Sequence, residues 1–331
     1  MTINVPTSRG FFGYGCAALA GIVSALILAY ALLHSGTILV LAAYIAAVPL
    51  FMAGFGLGLL PGFFAAGFGA ACLFAVTPAA FGIYYLVADA VPALALMAIA
   101  MRPRLSPRGT IEWASEGALA SALAVYPCLV FLGIFILLMG QDGGLLAMTL
   151  SAFDDFMPQV NAMLAQNGQT VTPDMTLKVH DYLQSLAYVA PALAMCAWIF
   201  STLIALIAAQ ALLQQHQWSL RPAFSLVEMR MPNWMVFVVA VAALAGALAP
   251  SPFNYVGTNV AIALSVPFFF VGLAVVHAWA ASKRFNLLIL IAVYLIIAII
   301  PYLALPIILI GGVDQWADFR KRLAAKTPLP N

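Results

Sequence analysis

The chain alternates between long runs without any ionised side chain and short charged segments. Between residues 14 and 100 the only charged residue is Asp89. Four further runs carry none: 117–141, 182–220, 231–282 and 285–313. A helix needs about 20 consecutive apolar residues to cross the hydrocarbon layer of a membrane. The pattern therefore predicts membrane-embedded helices over 11–33, 36–55, 57–77, 79–100, 114–140, 183–212, 233–250, 256–281 and the run 286–312.

The composition places these helices in lipid. Hydrophobic residues make up 65% of the 331 residues and charged residues only 7%, whereas a soluble domain carries about 25% charged residues. The predicted fold class is all-α: a polytopic integral membrane helical bundle of about nine to ten transmembrane or re-entrant helices. We expect a single transmembrane domain over 1–331, with 11–100 as an amino-terminal four-helix unit. The net charge of +2 gives no reason to expect a nucleic-acid partner.

The basic residues predict the orientation, because Lys and Arg are enriched in cytoplasmic loops. They cluster at Arg9, at Arg102, Arg104 and Arg108, at Arg221 and Arg230, at Lys283 and Arg284, and at Arg320, Lys321, Arg322 and Lys326. The segment 141–182 instead carries five aspartates against Lys178, so we expect it on the outer side. One orientation fits all clusters. It places both termini in the cytoplasm.

The last apolar run has two interpretations. If Lys283 and the basic tail 313–331 are both cytoplasmic, the run 286–312 must enter the membrane and return as a helical hairpin, divided near Pro301 because proline breaks the helical ladder. The alternative is a single kinked helix that crosses once.

The segment 141–182 is too long for a simple turn. Phe153, Phe156, Val160 and Met163 recur at helical spacing and predict an amphipathic helix on the outer membrane face. Thr172 and Pro173 predict the start of the next helix, with Thr172 as its N-cap. The segment is either a lid over a cavity or an interfacial brace.

Two stripes of small residues suit close helix packing. The first comprises Ala17, Gly21 and Ala25, and the second Gly58, Gly62 and Ala66. They pack helices within the chain, or they dock a partner subunit, and these six residues are our candidate docking positions. The four cysteines lie apart within apolar runs, so we expect neither a disulfide framework nor a metal site.

Asp89 is the most informative single residue, because a carboxylate within a membrane span costs at least about 2.5 kcal/mol and normally faces protein or water. It is either a functional group, for proton coupling or for contact with a cationic or hydroxyl-bearing ligand, or a structural partner of a carbonyl freed below Pro92. Together with Tyr84, Tyr85 and Asn259 it forms our set of candidate substrate-binding residues; capping is the alternative role of Asn259.

The sequence lacks several catalytic motifs. It contains no GxxxxGK[ST] phosphate loop, no HExxH and no GxSxG. We therefore expect no cofactor and no catalytic residues. If the chain takes part in transport, the energy would have to come from a separate ATPase or transmembrane subunit.

The carboxyl-terminal motif resembles a known family. Gly311, then Asp314, then Trp316–Ala317–Asp318–Phe319–Arg320, closing a hydrophobic chain, is similar to the YybS-like family of uncharacterised bacterial membrane proteins, as are Pro232–Asn233–Trp234 and the stretch Gly272 to His277. The resemblance covers nearly the whole chain. It implies an amino-terminal half similar to the substrate-capturing subunits of energy-coupling-factor vitamin transporters, which dock through small residues of their first helix. Those subunits have six helices, and this chain has three or four more segments.

These observations favour a transport-type membrane protein. It would be a substrate-binding or permease-like subunit for a small apolar or amphipathic solute that enters from the outer face under 141–182. The alternatives are a scaffold that binds other membrane proteins or lipids, and an intramembrane lipid-modifying enzyme, which would need a second polar group near Asp89. The partners that we expect are the lipid bilayer and either a separate transmembrane or ATPase subunit or a homo-oligomer.

Overall fold

The chain folds as an all-α polytopic integral membrane bundle, as the sequence predicted. The structure is a computed structural model that describes residues 10–33, 42, 44–105, 111–167, 172–224 and 229–324. Arg9, Arg108 and Lys326, which entered the charge argument, lie outside these ranges. The helices are α1 (Gly10–Leu33), α2 (Val48–Leu57), α3 (Leu59–Val76), α4 (Ala79–Tyr85), a π-helical segment (Leu86–Ala90), α5 (Val91–Ala100), α6 (Glu116–Leu138), α7 (Gly144–Asp154), α8 (Met157–Gln166), α9 (Pro173–Gln215), α10 (Asn233–Leu248), α11 (Phe253–Ala281), α12 (Asn286–Ile299), a 3₁₀ turn (Pro301–Leu303), α13 (Ala304–Ala317) and α14 (Phe319–Ala324). Two short strands, β1 (Arg104–Leu105) and β2 (Ile111–Glu112), form an antiparallel pair.

Within the described ranges, six helices have the length and composition to cross a membrane. They are α1, α3, the continuous helix Ala79–Ala100, α6, α9 and α11, and three shorter apolar helices, α2, α10 and α12, accompany them. The predicted spans correspond to these helices; of the predicted span 36–55, the described part contains the start of α2. The apolar side chains that remain exposed on these helices are those that lipid would cover.

The chain forms two compact units. The first comprises Met1–Leu123, Trp198–Pro232 and Pro267–Asn331, and the second comprises Ala124–Ala197 and Asn233–Val266. Three long helices, α6, α9 and α11, contribute to both units, and each contains a proline: Pro127, Pro191 and Pro267 respectively. A proline removes one backbone donor from the helical ladder, so each of these helices has a carbonyl that needs another partner.

In the first unit, close helix contacts depend on glycine. A side chain at Gly21 of α1 would overlap the backbone of Ala65 in α3. A side chain at Gly311 of α13 would likewise overlap the backbone of Phe268 in α11, and Gly272 lies against Ile307 in the same way. Such contacts bring backbones together where lipid supplies no hydrophobic driving force between helices.

In the second unit, the segment 141–182 contains two helices where the sequence predicted one. The predicted helix over Phe153 to Met163 is divided into α7 and α8. Pro158 explains the division, because its ring would clash with the carbonyl of Asp154, the last residue of α7. The predicted start of α9 is confirmed: helix α9 begins at Pro173, and the Met175 N–H donates to Thr172 Oγ1 at 3.3 Å.

The run 286–312 is interrupted at the predicted place. Helix α12 ends at Ile299, the 3₁₀ turn Pro301–Leu303 follows, and α13 begins at Ala304. Helix α13 continues to Ala317, so the predicted basic tail 313–331 begins inside a helix. The hairpin itself stays a prediction.

Candidate functional site

The backbone around Asp89 departs from the regular α-helix. Residues Leu86–Ala90 form a π-helical turn within the span Ala79–Ala100. The local cause lies three residues beyond Asp89: Pro92 has no N–H, so the Ala88 carbonyl receives no bond from it. The indole Nε1–H of Trp198 donates to this carbonyl at 2.7 Å. The freed carbonyl below Pro92 therefore has a partner in Trp198, and that structural role does not fall to Asp89.

The Asp89 side chain is half-buried. Among the described residues, no hydrogen bond or ion pair reaches its carboxylate. π-Helical turns occur frequently at functional sites, and an ionisable group within a span is by default a candidate functional group. The combination makes Asp89 the centre of the candidate site.

Tyr84 and Tyr85 have different environments although both phenols interact electrostatically with Asp89. Tyr85 is fully buried, and its hydroxyl lies 3.3 Å from Ser24 Oγ, to which it donates. A side chain at Gly69 would overlap this hydroxyl, so Gly69 makes the space for it. Tyr84 is 49% exposed. Tyr85 is thus part of the core, whereas Tyr84 is open to a ligand or to lipid.

Asn259 belongs to the second unit and uses its hydrogen-bonding groups within helices. Its Oδ1 accepts from the Ala192 N–H at 2.7 Å, and its Nδ2 donates to the carbonyls of Tyr188 at 3.0 Å and Tyr255 at 2.9 Å. The amide thus bridges α9 where Pro191 interrupts its ladder. An asparagine amide offers two donors and one acceptor oxygen, so both donors are used. The sequence signal for this role is Pro191, and the capping role weighed for Asn259 is not the one it has.

The candidate docking stripes lie inside the first unit. Ala17, Gly21 and Ala25 are buried, and Gly21 faces α3. Gly58 forms the turn between α2 and α3 with a φ of 113°, a value that favours glycine. Gly62 faces Gly54 and Met97, and Ala66 is buried. The packing of helices within the chain, the other interpretation that the sequence allowed, accounts for both stripes.

An apolar cavity of about 40 Å³ lies within the first unit. It is lined by Leu96, Glu116, Ile199, Leu206, Met229 and Phe270, among others. Asp89 does not line it, but Leu96 follows Asp89 by two helical turns and therefore lies on a similar face of the same helix. Glu116, the first residue of α6, is the charged group of the lining.

A network of ion pairs joins the carboxyl-terminal motif to the loop before α10. Arg320 donates from Nε to Asp314 Oδ2 at 2.8 Å and from Nη2 to the Met229 carbonyl at 2.9 Å. Arg230 pairs with Asp318, and this hydrogen bond, together with the nearby positive charges, lowers the pKa of the Asp318 carboxyl. The sequence indicated Arg230 and Arg320 as cytoplasmic charges and the two aspartates through the family resemblance, but spacings of 6 and 88 residues give no local sign of pairing.

Arg221 is a buried cation that the sequence indicated only as an inner-leaflet charge. It is 4% exposed, and its guanidinium lies 3.8 Å above the ring of Phe224. Over the part of the chain that the structure describes, its Nε and Nη1 have no hydrogen-bond partner. Burial lowers the pKa of Arg221 to about 10 and the charge of Glu116 raises it, so Arg221 remains a cation at neutral pH.

A family model described as a predicted membrane protein (DUF2232) matches residues 22–315. The chain belongs to this family. The match begins within α1 and ends within α13, so the DUF2232 region contains Asp89, Arg221 and the Asp314 end of the carboxyl-terminal motif. Searches of curated proteins and of solved structures gave no match. Membership of the DUF2232 family agrees with the six helices of membrane-spanning length and fixes no activity.

Proposed function

We propose that this DUF2232 protein is a transport-type membrane protein: a substrate-binding or permease-like subunit that captures a small apolar or amphipathic solute. The observation that carries the proposal is the Asp89 carboxylate, held on a π-helical turn inside a span, with no hydrogen bond from the described residues. A carboxylate at that depth is unfavourable unless a ligand, a proton or water satisfies it.

The surroundings of Asp89 favour a particular solute chemistry. The cavity that begins two turns further along the helix is lined mainly by apolar side chains such as Leu96, Ile199 and Phe270. A binding site of this kind uses apolar contacts for affinity and a few polar groups for orientation. We therefore propose a solute with a small apolar body and a cationic or hydroxyl group that Asp89 binds.

The proposal includes a cytoplasmic-membrane location in a bacterium and a partner that supplies energy. The sequence has no phosphate-binding loop of its own, which supports a separate ATPase or transmembrane subunit. The predicted likeness to the YybS-like family and to substrate-capturing subunits of energy-coupling-factor transporters supports the same role.

The test uses the full chain in proteoliposomes and a defined panel of neutral, cationic and anionic amphipathic solutes, with retained solute measured by mass spectrometry. We expect retention of a cationic or hydroxyl-bearing member by the wild type and a loss of more than about tenfold in Asp89→Asn, since a charge-assisted hydrogen bond contributes about 1.5–3 kcal/mol. The amide keeps the size of the side chain and removes its charge.

The matched control is Asp142→Asn, because Asp142 is an exposed acid outside the helices. Retention should be unchanged in this variant, and both variants should insert in membranes at wild-type levels. Retention that is equal in Asp89→Asn and wild type for every solute would contradict the proposal.

The other two interpretations have less support. The scaffold alternative drew on the small-residue stripes, and Gly21 and Gly62 now face helices of the same chain. The enzyme alternative needs a second polar group beside Asp89. Among the described residues the phenols of Tyr84 and Tyr85 are the groups that interact with it, and Tyr85 already bonds Ser24.

A further inference from the structure

Arg221 is a buried cation whose ionised form is favoured by the charge of Glu116, while two of its guanidinium nitrogens have no hydrogen-bond partner among the described residues. Removing a guanidinium from water costs several kcal/mol unless hydrogen bonds and an opposite charge replace the hydration. Here the ring of Phe224 covers one face of the guanidinium, and this cation–π contact replaces part of the lost hydration. The Nε and Nη1 hydrogens nevertheless have no acceptor within the described ranges. A native protein rarely leaves such donors unpaired.

The turn that contains Arg221 also contains an unused acceptor. The Gln210 Nε2 donates to the Pro222 carbonyl at 2.6 Å, while the buried Gln210 Oε1 has no partner in the described part of the chain. The turn itself is fixed, because Ser219 Oγ donates to the Arg221 carbonyl at 2.7 Å and the Leu220 N–H donates to the Phe55 carbonyl at 2.9 Å. Within the described residues, two buried donors of Arg221 and one buried acceptor of Gln210 thus lack a partner at this turn. A ligand with acceptor oxygens and a hydroxyl group would satisfy all three.

The free edge of the guanidinium indicates an oxyanion. Nε and Nη1 lie side by side on the planar group and match two oxygens of a phosphate or carboxylate. The position of the turn favours phosphate: α9 ends at Gln215, and Arg221 follows it by six residues. The end of a membrane-spanning helix lies at the depth where lipid headgroups carry their phosphates.

An apolar groove of about 420 Å³ lies next to the same turn. Its lining includes Cys16, Ala20, Met52, Gly56, Leu213 and Trp218, so it runs along α1 and α2 and reaches the start of the turn. Trp218 precedes Arg221 by three residues. An apolar groove that ends near the buried cation Arg221 suits a molecule with an acyl chain and an anionic headgroup.

We propose that Arg221 binds a phosphate group, and that this phosphate belongs to an anionic phospholipid whose acyl chain occupies the groove beside Trp218. This site is independent of the solute site proposed around Asp89. It would make the stability of the first unit depend on the lipid composition of the membrane.

The test uses the full chain in nanodiscs and follows its thermal unfolding midpoint. One arm compares phosphatidylcholine with a mixture of phosphatidylcholine and phosphatidylglycerol. The other adds inorganic phosphate, with sodium chloride at matched ionic strength, to discs of phosphatidylcholine alone. A ligand at 100 times its dissociation constant favours the folded state about 100-fold. We expect phosphatidylglycerol to raise the wild-type midpoint, and phosphate to raise it less because it does not fill the groove.

Four variants localise the effect. Arg221→Gln should lose the response to phosphatidylglycerol, while Arg102→Gln, which removes an exposed cation, should keep it. Arg221→Lys keeps the charge but loses the side-by-side donors, so it should bind at least about tenfold more weakly. Met52→Trp narrows the groove and should weaken the lipid response without changing the response to inorganic phosphate.

Several outcomes would overturn the proposal. One is a wild-type midpoint that responds to neither probe. A response to phosphate equal to that to phosphatidylglycerol would mean a free anion is the ligand and would refute the lipid. Glu228 lies outside the described residues; if Glu228→Gln destabilises the wild type but has no effect in Arg221→Gln, the counter-charge of Arg221 is internal and the ligand site is refuted.

Discussion

The side-chain amide of Asn259 occupies the place of a backbone hydrogen bond between Ala192 and Tyr188. It accepts from the Ala192 N–H at 2.7 Å and donates to the Tyr188 carbonyl at 3.0 Å. In a regular helix these two groups would bond to each other. Pro191, the residue before Ala192, interrupts the helical ladder here because its ring clashes with the preceding turn, and the amide from α11 supplies partners for both groups inside the second unit.

Replacing Asn259 with Ala should therefore destabilise the protein. The change leaves the buried Ala192 N–H and the partly buried Tyr188 carbonyl unpaired, which costs up to about 1–3 kcal/mol for each group. Unfolding by denaturant in detergent measures the loss. Asn254→Ala serves as a control, because among the described residues the Asn254 side chain bonds just the neighbouring Tyr255 N–H, and we expect it to cost less than about 1 kcal/mol.

The double variant Pro191→Ala/Asn259→Ala separates this role from simple packing. With alanine at 191 the helix can close its own ladder, so the second substitution should cost less than it does alone. Equal costs of Asn259→Ala with and without Pro191 would show that the amide does not act through the interrupted helix.

Much of the fold follows from the sequence because the dominant constraint is local. Exclusion of charge from runs of about 20 residues predicts the spans, and Thr172 and Pro173 predict the start of α9 by their own backbone chemistry. The division between α7 and α8 could have been predicted in the same way, because Pro158 interrupts the helical ladder.

The candidate site could be predicted from the sequence less completely than the fold. Asp89 stands out by its position in an apolar run. The bond from Trp198 to Ala88, however, joins residues 110 positions apart, and the bridge from Asn259 to Tyr188 joins residues 71 apart. Pairings of this kind depend on which helices meet, and spacing along one helix does not encode that. Arg221 was visible only as a charge, since burial and unpaired donors are properties of the folded turn.

The contact between α1 and α3 gives a prediction with a matched control on one helix. Gly21→Leu should destabilise the protein by more than about 2 kcal/mol, because the added side chain overlaps the Ala65 backbone, which cannot move aside. A leucine at Gly15 meets open space and should change stability by less than about 0.5 kcal/mol. Comparable losses in the two variants, measured by denaturant unfolding, would mean that α1 does not pack on α3 through Gly21.

The two carboxylates of the carboxyl-terminal motif should differ in importance. Asp314 is 2% exposed and bonds Arg320, so Asp314→Ala leaves a mostly buried guanidinium without its anion and should cost about 3–5 kcal/mol. Asp318→Ala removes an exposed partner of Arg230 and should have a much smaller effect. A cost for Asp318→Ala equal to that for Asp314→Ala would contradict this ranking.

The Asp318 pair also predicts a dependence on pH. Its carboxyl pKa is lower in the folded chain than in the unfolded chain, because Arg230 and neighbouring cations favour the charged form. The folded state therefore binds fewer protons than the unfolded state in acid. The stabilisation of the folded state by the ionised Asp318 is fully present above the ordinary carboxyl pKa, and it is lost as the pH falls through the lowered pKa. The difference in stability between wild type and Asp318→Asn should shrink over that range. A difference that is constant from neutral to acidic pH would show that the pair does not act through charge.

The orientation of the chain is open to a direct test. Single cysteines at Asp142, Lys283 and Arg322, all exposed, can be introduced in a background without the four native cysteines and labelled with a membrane-impermeant maleimide. We expect labelling from outside at 142 only, because basic residues favour the cytoplasmic side. Labelling of 283 and 322 from opposite sides would replace the predicted hairpin over 286–312 by a single kinked crossing. Labelling of 142 and 322 from the same side would contradict the whole orientation, because the orientation depends on the acidic segment lying outside and the basic tail lying inside.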